Sequence, residues 1–584
     1  MARITQPVYF PMARITQPIQ LHGAKTLETN WHKSWKPNFP QKDTSCSDLT
    51  GNTFDMKGLS NGCNGTTLAG QKPRRLIVDS PYVRCDGTEI ETTYHYRKNH
   101  FTQTPDGLKV SPKEHEYLFK TQLKPKKTGL LLVGLGGNNG STSVGAIYAN
   151  KKHMTWRTKD GVQTANYFGS VTQASTVHLG WDGEQQIHVP FNEIIPILSP
   201  NDLIIDGWDI NNKNLYEAMI RAKVFEPELQ EKLRPYMEPI VPMPSIYYPD
   251  FIAANQGDRA NNIIPGTNKK DHLEHIRRDI RNFREKHDLE CVIVLWTANT
   301  ERYTDVVDGL NMTAEQMLAS IEKSADEVSP SNIFAVAAIL EGAHYINGSP
   351  QNTLVPGIIE LAHQHNVFVG GDDFKSGQTK IKSALVDFLV SSGLKPESIV
   401  SYNHLGNNDG KNLSEARQFR SKEISKSSVV DDMVQANKIL YPTGKNPDHC
   451  IVIKYVPFVG DSKRAMDEYI CSIFMGGRQT FVIHNTCEDS LLASPLIYDL
   501  AILTELATRI RYADATDGQF RPFHEVLSIL SLLLKAPVVP PGTPVSNAFM
   551  RQFASLSKLV TVLAGIASDT DMQIEFFTQL PKAQ

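Results

Sequence analysis

The chain has 584 residues, which is enough for about four folding units of roughly 150 residues each. Hydrophobic residues make up 40% and charged residues 21%, as is typical of globular proteins, and the formal net charge is only −3. Such a balance favours neither a nucleic acid nor an anionic membrane as a partner, and no uninterrupted apolar stretch approaches the roughly 20 residues of a membrane span.

Seven cysteines are scattered along the chain without a C-x-x-C pair. This pattern favours a reducing, cytoplasmic location and argues against a disulfide framework or a structural zinc site. It leaves open whether a catalytic metal ion is used.

The first seventy or so residues differ from the rest in composition. Ser, Thr, Asn, Gly and Lys are frequent in residues 1–73, and the segment Met1–Pro7 recurs as Met12–Pro18. Two copies of a seven-residue segment are too few for a solenoid. We expect residues 1–73 to form a disordered extension, and the alternative is a transit peptide, because acidic residues are scarce there.

From Arg74 onward, short apolar runs alternate with longer amphipathic segments. Buried strands are predicted at Leu130–Val133, Leu203–Ile205, Cys291–Trp296, Ile333–Leu340, Val367–Val369 and Ile451–Val456. Helices are predicted at Asp271–His287, Thr313–Val328, Leu496–Ile510 and Phe523–Leu534. This alternation predicts an α/β fold around a parallel sheet with right-handed crossovers.

Polar clusters follow many of the apolar runs. They are Gly207–Asp209, Thr297–Thr300, Gly370–Asp373, Asn407–Gly410, Gly460–Lys463 and Cys487–Asp489. In open α/β sheets the ligand binds beyond the carboxyl ends of the strands, so the repetition predicts one large site built from several loops. The alternative, for any single cluster, is an ordinary polar loop.

The sharpest local signal is the glycine-rich segment Gly134–Thr142, which follows the first predicted strand. Closely spaced glycines between a strand and a helix let backbone N–H groups approach a pyrophosphate at the helix N-terminus. The pattern G-x-G-G-x-x-G departs from G-x-G-x-x-G by one residue. No Lys-Ser/Thr pair follows, which argues against a P-loop. A glycine-rich turn without a ligand is the alternative.

A dinucleotide site also needs an acidic residue for the ribose. Asp160 lies at the usual distance but has no clear strand before it, whereas Asp209 directly follows a predicted strand. We therefore predict Asp209 in this role, which requires a long insertion between the first two strands.

Residues Ser376, Gly377, Gln378 and Thr379 offer hydroxyl, amide and backbone donors that suit a phosphate monoester, although a capped helix start explains them equally well.

Lys422 and Lys426 are spaced i, i+4, so on a helix they share one face. In a desolvated cleft their repulsion would lower one pKa, giving one proton-exchanging amine and one fixed cation. A solvated helix face is the alternative.

The chain resembles the eukaryotic-type myo-inositol-1-phosphate synthases in six segments and in the order of those segments. They are the loop at Gly134, Gly207–Ile210, Trp296–Arg302, Gly371–Lys380, Ser401–Gly410 and Phe419–Lys426. The resemblance runs from about Leu76 to near the C-terminus.

This resemblance implies an NAD-dependent isomerase that converts glucose 6-phosphate to 1L-myo-inositol 1-phosphate. In that family the open-chain sugar phosphate is oxidised at C5, deprotonated at C6, closed by an intramolecular aldol reaction and reduced again. The resemblance also implies a homotetramer.

The same resemblance implies roles for individual residues of this sequence. Those implied in catalysis are Lys422, Lys426, Lys463, Lys535, Asp373 and Asp489, with the C5 hydroxyl proton assigned to Lys422. Ser376, Gly377, Gln378 and Thr379 are implied to bind the substrate phosphate. Those implied to contact NAD are Gly136, Gly137, Asn138, Asn139, Asp209, Ser245, Ile246, Gln256, Arg259, Thr297, Ala298, Asn299, Thr300, Asp373, Ser376, Asn407, Asn408, Asp409, Lys422, Gly460, Asp461 and Asp489.

The implied fold is a Rossmann-type NAD-binding domain with an inserted α+β catalytic and tetramerisation domain. The expected boundaries are 1–73 for the extension, 74–374 for the NAD-binding domain, 375–486 for the insertion and 487–584 for a helical return. Two other functional classes stay open from the sequence: a dehydrogenase that releases NADH, and a catalytically silent NAD-binding protein.

Overall fold

The computed structural model describes residues 76–567 and 576, and the backbone of Thr53–Asp55. The duplicated segment and most of the predicted extension lie outside the described residues, as does its predicted end at residue 73.

The described chain alternates strands and helices along most of its length. The strands are β1 (Thr53–Asp55), β2 (Ile77–Asp79), β3 (Val83–Cys85), β4 (Glu89–Thr104), β5 (Gly107–Gln122), β6 (Thr128–Val133), β7 (Thr155–Thr158), β8 (Gly161–Thr164), β9 (Thr176–Trp181), β10 (Gln186–Pro190), β11 (Ile204–Asp209), β12 (Met243–Pro244), β13 (Cys291–Trp296), β14 (His344–Asn347), β15 (Val369–Gly370), β16 (Lys395–Leu405), β17 (Asp448–Tyr455), β18 (Ser462–Ser472), β19 (Arg478–Glu488) and β20 (Ile510–Asp514). The α-helices are α1 (Asn138–Lys151), α2 (Val171–Ala174), α3 (Phe191–Ile194), α4 (Leu215–Ala222), α5 (Pro227–Met237), α6 (Lys269–His287), α7 (Ala314–Glu322), α8 (Pro330–Leu340), α9 (Pro356–His365), α10 (Gly377–Ser391), α11 (Asn408–Asn412), α12 (Ala416–Ser427), α13 (Asp431–Ala436), α14 (Asp489–Thr508) and α15 (Phe549–Leu563).

The central sheet has six parallel strands in the order β12-β11-β6-β13-β14-β15. Its first three strands in chain order lie on one side of the β6–β13 junction and its last three on the other, which is the doubly wound order of a Rossmann fold. The strand order reverses at β6 and β13, and a ligand crevice is expected at that point. The predicted α/β class with a parallel sheet is confirmed.

Both faces of this sheet are covered, so its strands are apolar along their whole length. Leu130 and Leu132 belong to one buried cluster, which includes α14, whereas Leu131 and Val133 belong to another, which includes α8. The alternation follows from the strand period of two residues.

Two hairpins, β7–β8 and β9–β10, lie between β6 and β11 in the chain. Because β11 nevertheless pairs directly with β6, the long insertion that the choice of Asp209 required is present.

A second sheet has the strand order β17-β16-β18-β19. β16 is parallel to β17 and antiparallel to β18, and β18 is antiparallel to β19. The end of β16, the start of β18 and the end of β19 therefore share one edge. The Gly460–Lys463 cluster lies at the start of β18 and not at a carboxyl end, yet it reaches the same edge as Asn407 and Asp489.

Three local predictions are wrong in type or extent. Residues Ile333–Leu340 belong to α8 and not to a strand: Ser329 and Asn332 form a capping box, and Pro330 occupies the first turn. The helix is buried on all sides, which removes the amphipathic period. The helix predicted at Thr313–Val328 ends at Glu322, before a left-handed Ser324.

The helix predicted at Phe523–Leu534 is absent as an α-helix, and only a 3₁₀ turn forms at Ser528–Leu533. Val369 donates to the Glu525 carbonyl and Leu527 donates to the Val369 carbonyl, so the segment pairs with the sheet edge beside β15. This tertiary pairing replaces the local helical bonds.

One described helix, α14, is long and apolar enough to cross a membrane by length and composition, with a mean hydropathy of 1.4. Its residues are 83% buried inside the protein over that window. Within the helix, Asp499 accepts hydrogen bonds from the Ser170 and Thr172 hydroxyls, and Glu505 accepts one from Arg509. Such internal pairing is typical of the core helix of a globular domain.

Candidate functional site

A cavity open to solvent lies beyond the carboxyl ends of β6, β11 and β13, at the point where the strand order reverses, and its empty space together with the solvent at its mouth is about 1190 Å³. The second sheet closes its other side. The predicted site residues that line it are Gly137, Asn138, Asn139, Asp209, Ser245, Ile246, Arg259, Thr297, Ala298, Asn299, Asp373, Ser376, Asn407, Asn408, Asp409, Lys422, Lys463, Asp489 and Lys535.

The glycine-rich turn leads from β6 into α1. Gly134 has a φ of 96°, and a Cβ there would lie 2.7 Å from the Ala298 backbone. A Cβ on Gly140 would lie 2.3 Å from the Leu135 carbonyl oxygen, so both positions require glycine. The N-terminus of α1 has no acidic residue in its first turn, and Gly137, Asn138 and Asn139 at this end line the cavity, where a helix N-terminus favours an anion.

Asp209 ends β11 and is buried beneath this turn. Its carboxylate accepts a hydrogen bond from the Asn211 backbone N–H at 2.9 Å. Burial raises the pKa of Asp209, and the charges of Arg259 and Arg221 oppose that shift. Gly136 does not line the cavity, but a Cβ on it would lie 3.2 Å from the Asp209 carboxyl group.

The loops after β12, β13 and β16 form the far wall. Thr297 has a buried hydroxyl without a partner in the described residues. Thr300 lies behind the cavity, where its N–H and hydroxyl both donate to Asp409 at 3.2 Å. Gln256 is also behind it and accepts from the Asn408 side chain at 2.9 Å, so it links two lining loops.

Asp461 and Gly460 likewise support the wall without lining it. The Asp461 carboxylate accepts from the Asn138 side chain at 3.2 Å and from the Ser490 hydroxyl at 2.8 Å. Burial and the neighbouring Asp489 raise its pKa. Asp461 therefore connects the start of α1 to the second sheet.

Asp373 is the centre of the charged part of the site. Its two carboxylate oxygens accept from Lys422 at 3.0 Å and from Lys535 at 3.2 Å, and Ser425 donates to it at 2.7 Å. Although burial opposes ionisation, the two ammonium groups and Ser425 lower its pKa.

The other two predicted lysines lie in the same cluster. Lys463 forms an ion pair with Asp489 at 3.2 Å. Lys426 is buried and donates to Asn403 at 3.0 Å. No carboxylate oxygen of the described residues forms an ion pair with it. The structure thus brings all four amino groups together beside the cavity.

The four amines differ in their proton affinity. Burial disfavours the charged form of Lys422, but Asp373 and Asp409 outweigh it and raise its pKa. Burial, followed by the charges of Lys463, Lys535 and Lys422, lowers the pKa of Lys426 well below its usual range. Burial also lowers the pKa of Lys535 to about 7, against the opposing charge of Asp373.

Ser376 lines the cavity, and α10 begins at the next residue. The Ser376 side chain does not cap the helix, although the Thr379 N–H donates to the Ser376 carbonyl oxygen at 3.3 Å, and a helix N-terminus of this kind favours an anion. Gly377 has a φ of 50°, Gln378 donates to Asp467 at 2.8 Å, and Thr379 is buried. Gly377, Gln378 and Thr379 lie behind Ser376 and do not line the cavity.

Several residues of the site carry no sequence motif. Arg221 donates to the Gly136 carbonyl oxygen and lines the cavity, and Ser349 donates to the Ala298 carbonyl. Lys382 is buried near Lys426. Each comes from a segment whose local sequence is an ordinary helix or loop, so tertiary contacts alone reveal it. Among residues 76–567 and 576, no cluster of three or more His, Cys, Asp or Glu side chains could hold a metal ion.

Comparisons with known proteins agree with this geometry. A family model of NAD-binding domains, described as myo-inositol-1-phosphate synthase, matches residues 128–561. Inositol-3-phosphate synthase 1 of Populus euphratica is 56% identical over 506 residues, which cover 86% of this chain and 99% of that protein. Inositol-3-phosphate synthase 1-A of Xenopus laevis is 58% identical over 501 residues, which cover 86% of this chain and 89% of that protein.

The crystal structure of inositol-3-phosphate synthase from Caenorhabditis elegans has the same fold, with a TM-score of 0.86 and 77% identity over 88% of this chain and all of that one. A myo-inositol-1-phosphate synthase-related protein from Thermotoga maritima, 19% identical, shares the fold with a TM-score of 0.54. The match of the family model over most of the chain, together with these relatives, shows that the chain belongs to the myo-inositol-1-phosphate synthase family.

Proposed function

We propose that this chain converts glucose 6-phosphate to 1L-myo-inositol 1-phosphate and uses NAD without net consumption. Membership of the family supports the reaction. The observation that carries it is the placement of four amino groups, three of them buried, and two carboxylates at one end of a dinucleotide-type cavity. That combination suits a reaction that moves a hydride and several protons in one enclosed site.

The residues present fit a dinucleotide. Gly137, Asn138 and Asn139 of the glycine turn line the cavity, Asp209 stands at the end of the second strand, and the Thr297 hydroxyl has no partner among the described residues. In our proposal Gly136, Gly137, Asn138 and Asn139 hold the pyrophosphate, and Asp209 holds the ribose. The remaining implied cofactor residues line the walls, except for Gln256, Thr300, Gly460 and Asp461, which support the walls from behind. When bound, NAD supplies the hydride acceptor for C5 and returns the hydride in the last step.

The chain's own groups carry the proton steps. As C5 is oxidised its hydroxyl loses a proton, and the resulting ketone acidifies C6. The C6 proton then passes to an amine, the enolate carbon attacks the C1 aldehyde, and the C1 oxygen takes up a proton. The C5 oxygen regains a proton at the final reduction, so proton loss and gain balance.

The contrast in pKa suggests how these roles divide. Lys535, whose pKa is lowered to about 7, can accept a proton near neutral pH, and burial also lowers the pKa of Lys426, which favours its neutral amine. Lys422, held charged by Asp373, would stabilise developing negative charge on oxygen. The assignment of the C5 hydroxyl proton to Lys422 stays a prediction, and the lowered pKa of Lys426 favours that residue as the acceptor. Ser376–Thr379 would bind the phosphate at the start of α10.

We also propose a homotetramer in the cytoplasm. The five described cysteines are free, which is consistent with a reducing compartment. The proposed domain limits remain 74–374, 375–486 and 487–584. In support, all four strands of the second sheet lie between residues 395 and 488, and α14 then packs against α1.

Product analysis tests the reaction. The protein is incubated with glucose 6-phosphate and a catalytic amount of NAD, and inositol phosphate and NADH are both quantified. We expect many turnovers of inositol phosphate per NAD and no accumulation of NADH. Stoichiometric NADH without inositol phosphate would instead indicate a dehydrogenase. No turnover despite NAD binding would indicate a silent NAD-binding protein.

A further inference from the structure

Two arginines lie beside Asp209, the residue that ends the second strand of the dinucleotide site. Arg221 on α4 and Arg259 in a 3₁₀ turn after β12 both line the cavity together with Asp209. The guanidinium group of Arg221 donates to the carbonyl oxygen of Gly136, and a Cβ on Gly136 would lie 3.2 Å from the Asp209 carboxyl group. The glycine turn therefore brings Arg221 and Asp209 to the same part of the cavity wall.

Asn211 connects the second arginine to the same carboxylate. Its backbone N–H donates to Asp209 at 2.9 Å, and its side chain donates to the Arg259 carbonyl oxygen at 3.0 Å. The Arg259 guanidinium group donates to Gln256 at 3.5 Å. The carboxylate of Asp209 is thus linked on two sides to segments that each carry an arginine.

Neither guanidinium group is paired with a carboxylate at close range. Among the described residues, Arg221 and Arg259 form no ion pair within 4.0 Å. Their charges nevertheless act on Asp209, where they oppose the rise in pKa that burial causes. Burial and the charge of Arg259 lower the pKa of Arg221, so the two guanidinium groups also act on each other. A guanidinium group has five N–H donors, so both arginines keep donors for a ligand.

These charges affect the two nicotinamide dinucleotides differently. NAD has a free 2′-hydroxyl on its adenosine ribose, which can donate to a carboxylate at the end of the second strand, whereas NADP has a phosphate at that position. The phosphate brings nearly two negative charges, which the Asp209 carboxylate would repel. A guanidinium group, in contrast, matches a phosphate in both charge and geometry.

We propose that Asp209 is the residue that excludes NADP from this site, and that Arg221, beside Arg259, provides a latent binding position for a 2′-phosphate. The inference rests on the dinucleotide site of the proposed function and adds the specificity of that site. It does not depend on the chemistry at C5 of the sugar.

The test measures binding without turnover. Dissociation constants for NAD and NADP are determined by calorimetry. We expect the wild type to bind NADP about tenfold more weakly than NAD or worse, since NADP meets a like charge. In Asp209→Ser, NADP should bind about tenfold more tightly and NAD about tenfold more weakly, because NAD loses its hydrogen bond to the carboxylate. Asp160→Ser removes an exposed aspartate between β7 and β8, and this matched control should change neither constant.

A double variant tests the arginine. Arg221→Met removes the guanidinium group and keeps an unbranched chain. In the Asp209→Ser background it should weaken NADP by about tenfold and NAD much less. Adenosine 2′,5′-bisphosphate and 5′-AMP differ only in the 2′-phosphate, so their affinities should show the same contrast. Equal weakening of both members of each pair would mean that Arg221 binds a part that they share, and it would overturn the role assigned to Arg221.

Asp209→Asn covers the case in which Asp209→Ser does not fold, because the amide keeps the shape of the buried side chain. It should shift the preference toward NADP in the same direction. A folded Asp209 variant that binds NAD and NADP in the wild-type ratio would overturn the inference, as would a wild type that binds the two equally. A reversed preference in a protein that makes no inositol phosphate would support the inference and reject the proposed reaction.

Discussion

Asp373 and Asp372 are adjacent, buried carboxyl groups whose pKa values are shifted in opposite directions. Two ammonium groups lower the pKa of Asp373, whereas burial raises the pKa of Asp372 well above its usual range. The Asp372 carboxyl group accepts a hydrogen bond from Asn347, and no lysine of the described residues forms an ion pair with it. The difference follows from the partners of each side chain, because both are buried.

This contrast gives a matched pair of substitutions. Asp373→Asn keeps the shape of the side chain but removes the charge that holds Lys422 protonated and orients Lys535. We expect kcat/KM to fall by about 100-fold or more, about 3 kcal/mol in the barrier, with NAD affinity little changed. In Asp372→Asn an amide replaces a carboxyl group whose raised pKa favours the neutral form, so we expect a much smaller loss. Steady-state kinetics and NAD titration check both, and equal losses would contradict the argument.

At the scale of an element, α10 links the phosphate site to the catalytic cluster. It begins at Gly377, whose φ of 50° turns the chain so that Ser376 faces the cavity. The same helix is followed by Gly393, whose φ is 76° and around which no atom lies within 4 Å of a Cβ position. The two glycines therefore share a left-handed conformation but differ in their distance from the site.

Gly377→Ala should raise the KM for glucose 6-phosphate by about tenfold, since the left-handed strain of roughly 1–2 kcal/mol is relieved by moving the phosphate loop. Gly393→Ala imposes comparable strain at the far end of the helix. It should lower the melting temperature similarly but leave the KM unchanged. Initial-rate kinetics and thermal unfolding of both variants check this, and an equal rise in KM would show a global effect.

The sequence predicted the elements whose pattern is local. β6 and β13 were recognisable because they are apolar throughout, and α6 because its amphipathic period is regular. α8 was not, because a helix buried on every side has the composition of a buried strand. The 3₁₀ segment after Phe523 was missed because its backbone bonds go to β15 rather than to its own turn.

The candidate site shows the same division. Motifs and family resemblance indicated the glycine turn, Asp209 and the four lysines. Neither indicated that Asp373 lies between Lys422 and Lys535, nor that Lys382 contacts His449, since each contact joins residues from different elements. Spacing on a helix predicted that one of Lys422 and Lys426 has a lowered pKa. Which of the two it is depends on the carboxylates around them, and these come from distant parts of the chain.

For the whole molecule, several buried amines make stability depend on pH. Burial lowers the pKa values of Lys535 and Lys375 to about 7 and that of Lys382 to about 8, from an ordinary value of 10.5. At pH values between the lowered pKa of each lysine and its ordinary value of 10.5, the unfolded chain binds protons that the folded chain lacks. Stability must therefore rise with pH in this range. Glu301, whose pKa burial raises to about 7, is ionised in both states above that pH and hardly contributes there.

We expect the free energy of unfolding to increase from pH 7 to about pH 8.5, by up to ~1.4 kcal/mol per pH unit for each of the three lysines. Denaturant titrations at several pH values measure the slope. Lys375 lies outside the cavity and bonds to Asn547 and Gln552, so Lys375→Met tests its share without touching the site. That variant should reduce the slope of the unfolding free energy against pH by the contribution of one proton, up to ~1.4 kcal/mol per pH unit, even if its absolute stability changes. A flat or falling dependence in the wild type would mean that these amines remain charged in the folded protein.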